Sequence, residues 1–118
     1  MRIIVVDDSE TFRRSVKRHL AEDPAVEIVG EAADGDAALL EIDRLRPDVV
    51  LLDLYMPTID GFSVLRHVKK HFASIRVIVL TSDASADVRQ RCMTLQADAV
   101  IDKGDTGLLV LPTLWEFQ

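Results

Sequence analysis

The stretch VVLLDLYMPTIDG, Val49 to Gly61, decides the fold. Four apolar residues run without a break into Asp53, and Met56-Pro57 and Asp60-Gly61 follow within eight positions. A short continuous apolar run is the signature of a strand buried on both faces, as in a parallel sheet, and the Pro and Asp-Gly that follow mark a sharp turn. A carboxylate at the mouth of such a strand is costly unless something compensates it.

Reading outward, the same alternation of strand and helix recurs on both sides. RIIVV (Arg2 to Val6) is a second buried run, and Ser9 is placed to cap a helix with Phe12, Val16 and Leu20 on one face. VEIVGEA alternates weakly as a strand, and DGDAALLEIDRLRP reads as a helix stopped by Pro47. Beyond the turn, Phe62, Leu65, Val68 and Phe72 mark a helix, IRVIVLT a strand, SADVRQRCMTLQ a helix and DAVID a fifth strand. Five βα units in succession predict an α/β fold: a doubly wound five-stranded parallel sheet, with helices on both faces.

Composition restricts what such a domain can do. With 118 residues, 48% apolar and 29% charged, the chain fits one domain, 1–118, with enough core to fold alone. The formal charge of −6, with 14 Lys and Arg spread along the chain, argues against direct nucleic-acid binding. One cysteine, Cys92, excludes a disulfide framework or a thiolate metal cluster and fits a reduced, cytoplasmic setting. No apolar run approaches the roughly 20 residues that span a bilayer, and the N-terminus lacks signal-peptide features, so no membrane partner is expected. His19, His67 and His71 read as exposed helix residues whose spacing suggests no metal site.

In open parallel sheets the ligand sits beyond the carboxyl ends of the strands, where the strand order reverses. The polar residues at those ends are Asp7 and Asp8, Asp53, Thr81 and Lys103. With strands in the order 2-1-3-4-5 they converge, and a strand spacing of about 4.8 Å brings Asp8 and Asp53 close enough to share a cation.

These motifs resemble the receiver domain of two-component response regulators, of the flavodoxin-like, CheY-like superfamily, and the likeness covers essentially the whole chain. It rests on the paired acids Asp7-Asp8, on Asp53 with its downstream Met56-Pro57 and Asp60-Gly61, on Thr81 and on Lys103. Two or three close carboxylates repel by about 4 kcal/mol per pair at an effective dielectric near 20, so a cation must take part. Oxygen ligands with room for water suit Mg²⁺, or Mn²⁺ as a surrogate, held by Asp8, Asp53 and a backbone carbonyl of the turn, which Pro57 and Gly61 fix. The resemblance implies that this carbonyl is that of Tyr55 and that Asp7 assists through a water. It makes Asp53 the acceptor of a phosphoryl group from a phosphohistidine on a sensor histidine kinase or phosphotransfer protein. Lys103 then supplies a positive charge and Thr81 a hydroxyl to the phosphoryl oxygens, with small Ser82 leaving them space. The implied activity is self-phosphorylation and slow self-dephosphorylation, read out by a downstream protein or a fused output domain. The alternative is a receiver-like scaffold whose partner binding is independent of phosphorylation.

Three positions depart from the family. Val100 stands where a Tyr or Phe usually precedes the strand-five lysine, so the usual aromatic signal is expected to be absent. Gly104 replaces the usual proline after Lys103 and leaves that loop freer. Gln96 stands where glycine often ends the fourth helix in a left-handed conformation. In the last segment, DTGLLVLPTLWEFQ, Asp105 or Thr106 can cap a fifth helix that Pro112 is expected to shorten or break. Its leucines, Trp115 and Phe117 exceed one helix face, which suggests burial against another subunit, as in a homodimer, or a partner. The chain shows no output domain and no DNA-binding helix-turn-helix; it reads as a stand-alone receiver or as one excised from a larger regulator.

Overall fold

The computed structural model describes all 118 residues. The strands β1 (Arg2–Val6), β2 (Glu27–Ala32), β3 (Val49–Leu52), β4 (Arg76–Thr81) and β5 (Ala99–Asp102) form one parallel sheet in the order β2-β1-β3-β4-β5. The helices are α1 (Glu10–Leu20), α2 (Gly35–Leu45), α3 (Gly61–His71), α4 (Ala86–Thr94) and α5 (Thr106–Trp115), with a 3-10 turn at Lys103–Asp105. Residues alternate between the two faces of each central strand. Ile4, Val6, Val50, Leu52, Val77 and Val79 pack under α2, α3 and α4, whereas Ile3, Val5, Val49, Leu51, Ile78 and Leu80 pack under α1 and α5. Each of these twelve strand residues is at most 2% exposed, which is why these strands read as unbroken apolar runs rather than as alternation. The edge strand β2 carries the weak pattern, and the β1–β2 register slips between Ile3 and Ile4, passing over Val29.

The caps follow the sequence. Ser9, Asp34, Asp60 and Ser85 accept hydrogen bonds from the amides of Phe12, Ala37, Ser63 and Val88 and so start the first four helices. Gln96 has φ 70°, the left-handed conformation expected there, and the following amide of Ala97 bonds back to Cys92 at 3.0 Å. The fifth helix differs from expectation, because it runs unbroken for ten residues with Pro112 inside it. Pro112 lies on the exposed side and its missing amide costs the carbonyl of Leu108, a residue 73% exposed, where water can substitute. Val110 and Leu114, on the opposite face, are fully buried and hold the helix to the sheet.

In the turn after β3, Gly61 fixes the chain as expected, but by close packing rather than by a left-handed conformation. The left-handed residue is Thr58, φ 68°, and Gly61 is instead the first residue of α3. Its amide donates to the carbonyl of Leu54 at 2.7 Å, and a Cβ there would lie 2.2 Å from the carbonyl oxygen of Asp53. A glycine is required for this close approach of backbone to backbone. Gly61→Ala should therefore cost about 1–3 kcal/mol or more, read as a lower urea midpoint. Gly104→Ala, where the nearest atom is the Asp102 carboxylate at 3.2 Å, should stay within about 0.5 kcal/mol of wild type. Equal losses would show that the contact at Gly61 is not what holds the turn.

Candidate functional site

Strand β1 ends at Val6 and β3 at Leu52, paired neighbours in the sheet, so Asp7 and Asp53 leave the sheet side by side. The amide of Asp53 donates to Val6 O and that of Asp7 to Ala32 O, each extending the sheet by one bond. Both acids are buried, at 1% and 4% exposure, while Asp8 faces solvent. One carboxylate oxygen from each of Asp7, Asp8 and Asp53 lies within 4.8 Å of the others. Lys103, on the turn after β5, reaches back so that its Nζ stands 2.7 Å from Asp7 Oδ2 and 3.6 Å from Asp53 Oδ1. Four of the five residues predicted to share the pocket, Asp7, Asp8, Asp53 and Lys103, are thus brought together. The glycine after Lys103 does not loosen it: the Gly104 amide donates to Asp102 Oδ1 at 2.8 Å and the Thr106 hydroxyl to Lys103 O at 2.9 Å.

The electrostatics follow from this crowding. Burial, then the Asp7 charge and more weakly that of Asp8, push Asp53 up from an ordinary 3.8 to about 6, against the opposing pull of Lys103 and the Tyr55 amide. Asp7 uses Oδ1 to accept the Ser9 amide at 2.8 Å, while the ammonium meets Oδ2 outside hydrogen-bond geometry. That buried oxygen has a charge partner and no donor. An orphaned carboxylate oxygen beside two further carboxylates is a donor set for a hard, oxygen-seeking cation, so the residues present fit a divalent metal.

Thr81 is fully buried at the end of β4, and its hydroxyl is engaged with the following loop. It accepts from the Asp83 amide at 3.1 Å and donates to the Asp83 carbonyl at 3.4 Å. Tyr55 is half exposed, its hydroxyl 3.5 Å from the Asp83 carboxylate, so the turns after β3 and β4 touch across the pocket. Val100 is half-buried, and Arg89 of α4 donates to its carbonyl and to that of Ala84, each at 2.9 Å. Sequence reasoning missed two contributors. Arg13 donates to the Asp7 carbonyl at 2.7 Å, and the Phe12 ring lies 4.4 Å from Lys103 Nζ. Phe12 carried only a core signal; its place in the first turn after the paired acids was the clue.

Comparison with known proteins agrees with this geometry. The profile of the response regulator receiver domain matches residues 3–110. A protein-glutamate methylesterase/protein-glutamine glutaminase of Koribacter versatilis is 42% identical over 99 residues, which is 84% of this chain and 27% of the relative. The chain thus spans about a quarter of that relative's length. The response regulator domain of Thermotoga maritima CheB, 31% identical, superposes with a TM-score of 0.85 over 99% of this chain and 92% of its own. The isolated receiver domain of Salmonella enterica RcsB, solved with the phosphomimetic BeF₃⁻, is 26% identical with a TM-score of 0.94, over 100% of this chain and 88% of its own. No helix is long and apolar enough to cross a membrane. In sequence, topology and the convergence of strand-end acids with a lysine, the chain belongs to the response regulator receiver domain family.

Proposed function

We propose that Asp53 accepts a phosphoryl group from a phosphohistidine on a sensor histidine kinase or phosphotransfer protein, and that the modified domain signals through protein contacts. The observation that carries this reading is the placement of a lysine ammonium between two buried carboxylates, next to a third carboxylate open to solvent. An Asp53 oxygen attacks phosphorus in line. The new O–P bond forms as the P–N bond breaks, and its electron pair returns to the imidazole nitrogen. Raised to about 6, Asp53 is ionised at neutral pH yet more basic than an ordinary aspartate, which suits a nucleophile. Lys103 neutralises charge gathering on the phosphoryl oxygens. The Thr81 hydroxyl can turn from the Asp83 carbonyl to a phosphoryl oxygen, which would free the loop after β4. Asp8, Asp53 and the Tyr55 carbonyl would hold Mg²⁺, or Mn²⁺ in its place, with Asp7 joined through a water. Bound there, the ion would supply further charge neutralisation. Attack by water on the acyl phosphate resets the site.

Downstream, Leu108 and Trp115 of α5, 73% and 51% exposed, offer an apolar contact for a target, an output domain or a second copy. A receiver-like scaffold that ignores phosphorylation is the second reading, favoured by Val100 in place of an aromatic.

Intact-mass spectrometry after incubation with acetyl phosphate discriminates the two. The phosphorelay reading expects a Mg²⁺-dependent gain of one phosphoryl mass in wild type and none in Asp53→Asn; no gain in wild type leaves the scaffold. Lys103→Ala should keep Mg²⁺ affinity near wild type while losing output, and collapsed Mg²⁺ binding would contradict its assigned role. The raised Asp53 also has a stability consequence. The unfolded chain releases this proton near 3.8 and the folded chain near 6, so the folded state is penalised increasingly as pH rises through that window and fully above it. In chelator, Asp53→Asn should raise Tm at pH 7.5, and the gain should shrink below pH 6 and vanish near pH 4; a pH-independent gain would show that burial and repulsion do not act on this carboxyl.

A further inference from the structure

Lys103 is held from a third side that neither the paired acids nor the metal-ligand pattern explains. We infer that Phe12 is the positioning residue for Lys103: its ring face holds the ammonium against Asp7 and Asp53, so that the charge is in place before a phosphoryl group arrives. The inference rests on the phosphoacceptor reading for its kinetic consequence, though not for its geometry.

The contacts form a closed circuit. Asp7 Oδ1 accepts the Ser9 amide at 2.8 Å, Ser9 Oγ accepts the Phe12 amide at 3.2 Å, the Phe12 ring lies 4.4 Å from Lys103 Nζ, and Nζ stands 2.7 Å from Asp7 Oδ2. The helix cap thus fixes the Phe12 backbone relative to the same acid that the lysine meets. An ammonium within about 6 Å of a ring centroid is drawn to the negative face of the aromatic quadrupole, and more strongly where water is excluded. Here the lysine side chain is only 22% exposed. Phe12 is itself half-buried and packs against the core under α1 and α5, which restrains the ring. A lysine has four rotatable bonds and costs entropy to fix. The hydrogen bonds around Gly104 fix the backbone of this turn but not the lysine side chain, which therefore needs an external stop, and the aromatic face supplies one without adding a hydrogen-bond donor that would compete for the carboxylates.

Phe12→Leu keeps most of the apolar volume and removes the quadrupole, and Phe12→Trp restores an aromatic face. Two readouts apply to the whole chain. In the proton NMR spectrum the Lys103 ε-methylene protons should be shifted upfield by the ring current in wild type and return to ordinary lysine positions in Phe12→Leu; unshifted protons in wild type would overturn the placement. With acetyl phosphate and Mg²⁺, Phe12→Leu should label about three- to tenfold more slowly than wild type, with Phe12→Trp close to wild type and Mg²⁺ affinity unchanged in both. A Phe12→Leu rate equal to wild type, or a loss that Trp fails to restore, would reduce Phe12 to a packing residue. If wild type is not labelled at all, the phosphoacceptor reading fails, while the ring-current shift still decides whether the ring holds the lysine.

Discussion

Two carboxylates are driven into the same low-dielectric corner because their strands are hydrogen-bonded neighbours, and the rest of the pocket answers that constraint. Asp7 and Asp53 cannot separate without breaking the β1–β3 ladder, whose register is set by the alternation of Ile3, Ile4, Val5 and Val6 against Val49 to Leu52. The cost of their proximity appears as the raised proton affinity of Asp53. Lys103 lowers that cost by reaching over the sheet from β5, two strands from β3. Core packing therefore creates the electrostatic tension, and loop residues relieve it only in part. The residue of that tension is what makes the corner receptive to a cation.

The scaffold that holds this corner is stiff where the site needs it. Gly61 sits against the Asp53 carbonyl, and the turn after β3 is tied to α2 through Gly35 N to Pro57 O at 3.4 Å and Asp36 N to Thr58 Oγ1 at 3.3 Å. At the opposite end of the sheet, Asp98 accepts from Lys69, Arg76 and the Val77 amide, closing α3, β4 and the entry to β5 into one knot. Desolvation raises the pKa of Asp98, but its donors outweigh this and hold it below the ordinary range. The contrast with Asp53 is instructive, because both acids are largely buried. One has donors enough to stay comfortable as an anion, and the other does not.

Most of this was legible in the sequence because buried parallel strands write themselves as apolar runs, and strand-end residues of such a sheet converge whatever the details of the loops. Asp7, Asp8, Asp53 and Lys103 came from that logic alone. What escaped depended on side chains acting in two capacities. Phe12 was read as a helix-face hydrophobe, which it is, and nothing in a one-dimensional pattern shows that its ring also meets a cation 91 residues away. Arg89, which no pattern in α4 singles out, bridges the loop after β4 and the strand that carries Val100. The fate of Pro112 turned on orientation: a proline breaks a helix when the orphaned carbonyl is buried, and here that position looks outward. Gly61 was assigned to turn geometry, whereas its need is steric.

The pairing of the first helix with the last has a further consequence for how the chain is made. Val16 and Leu20 share their core with Val110 and Leu114, and Trp115 Nε1 donates to Asp23 Oδ2 at 2.9 Å across 92 residues. On a ribosome, which extends chains by roughly 5–20 residues per second, the larger core under α2, α3 and α4 can assemble from successive, mostly local βα units. The part of this sheet face that α5 covers, and the flank of α1 that α5 meets, stay uncovered until α5 has emerged. Vectorial synthesis therefore leaves one side of the nascent domain exposed for several seconds, and that side is where a holdase or a misdirected neighbour would first find purchase.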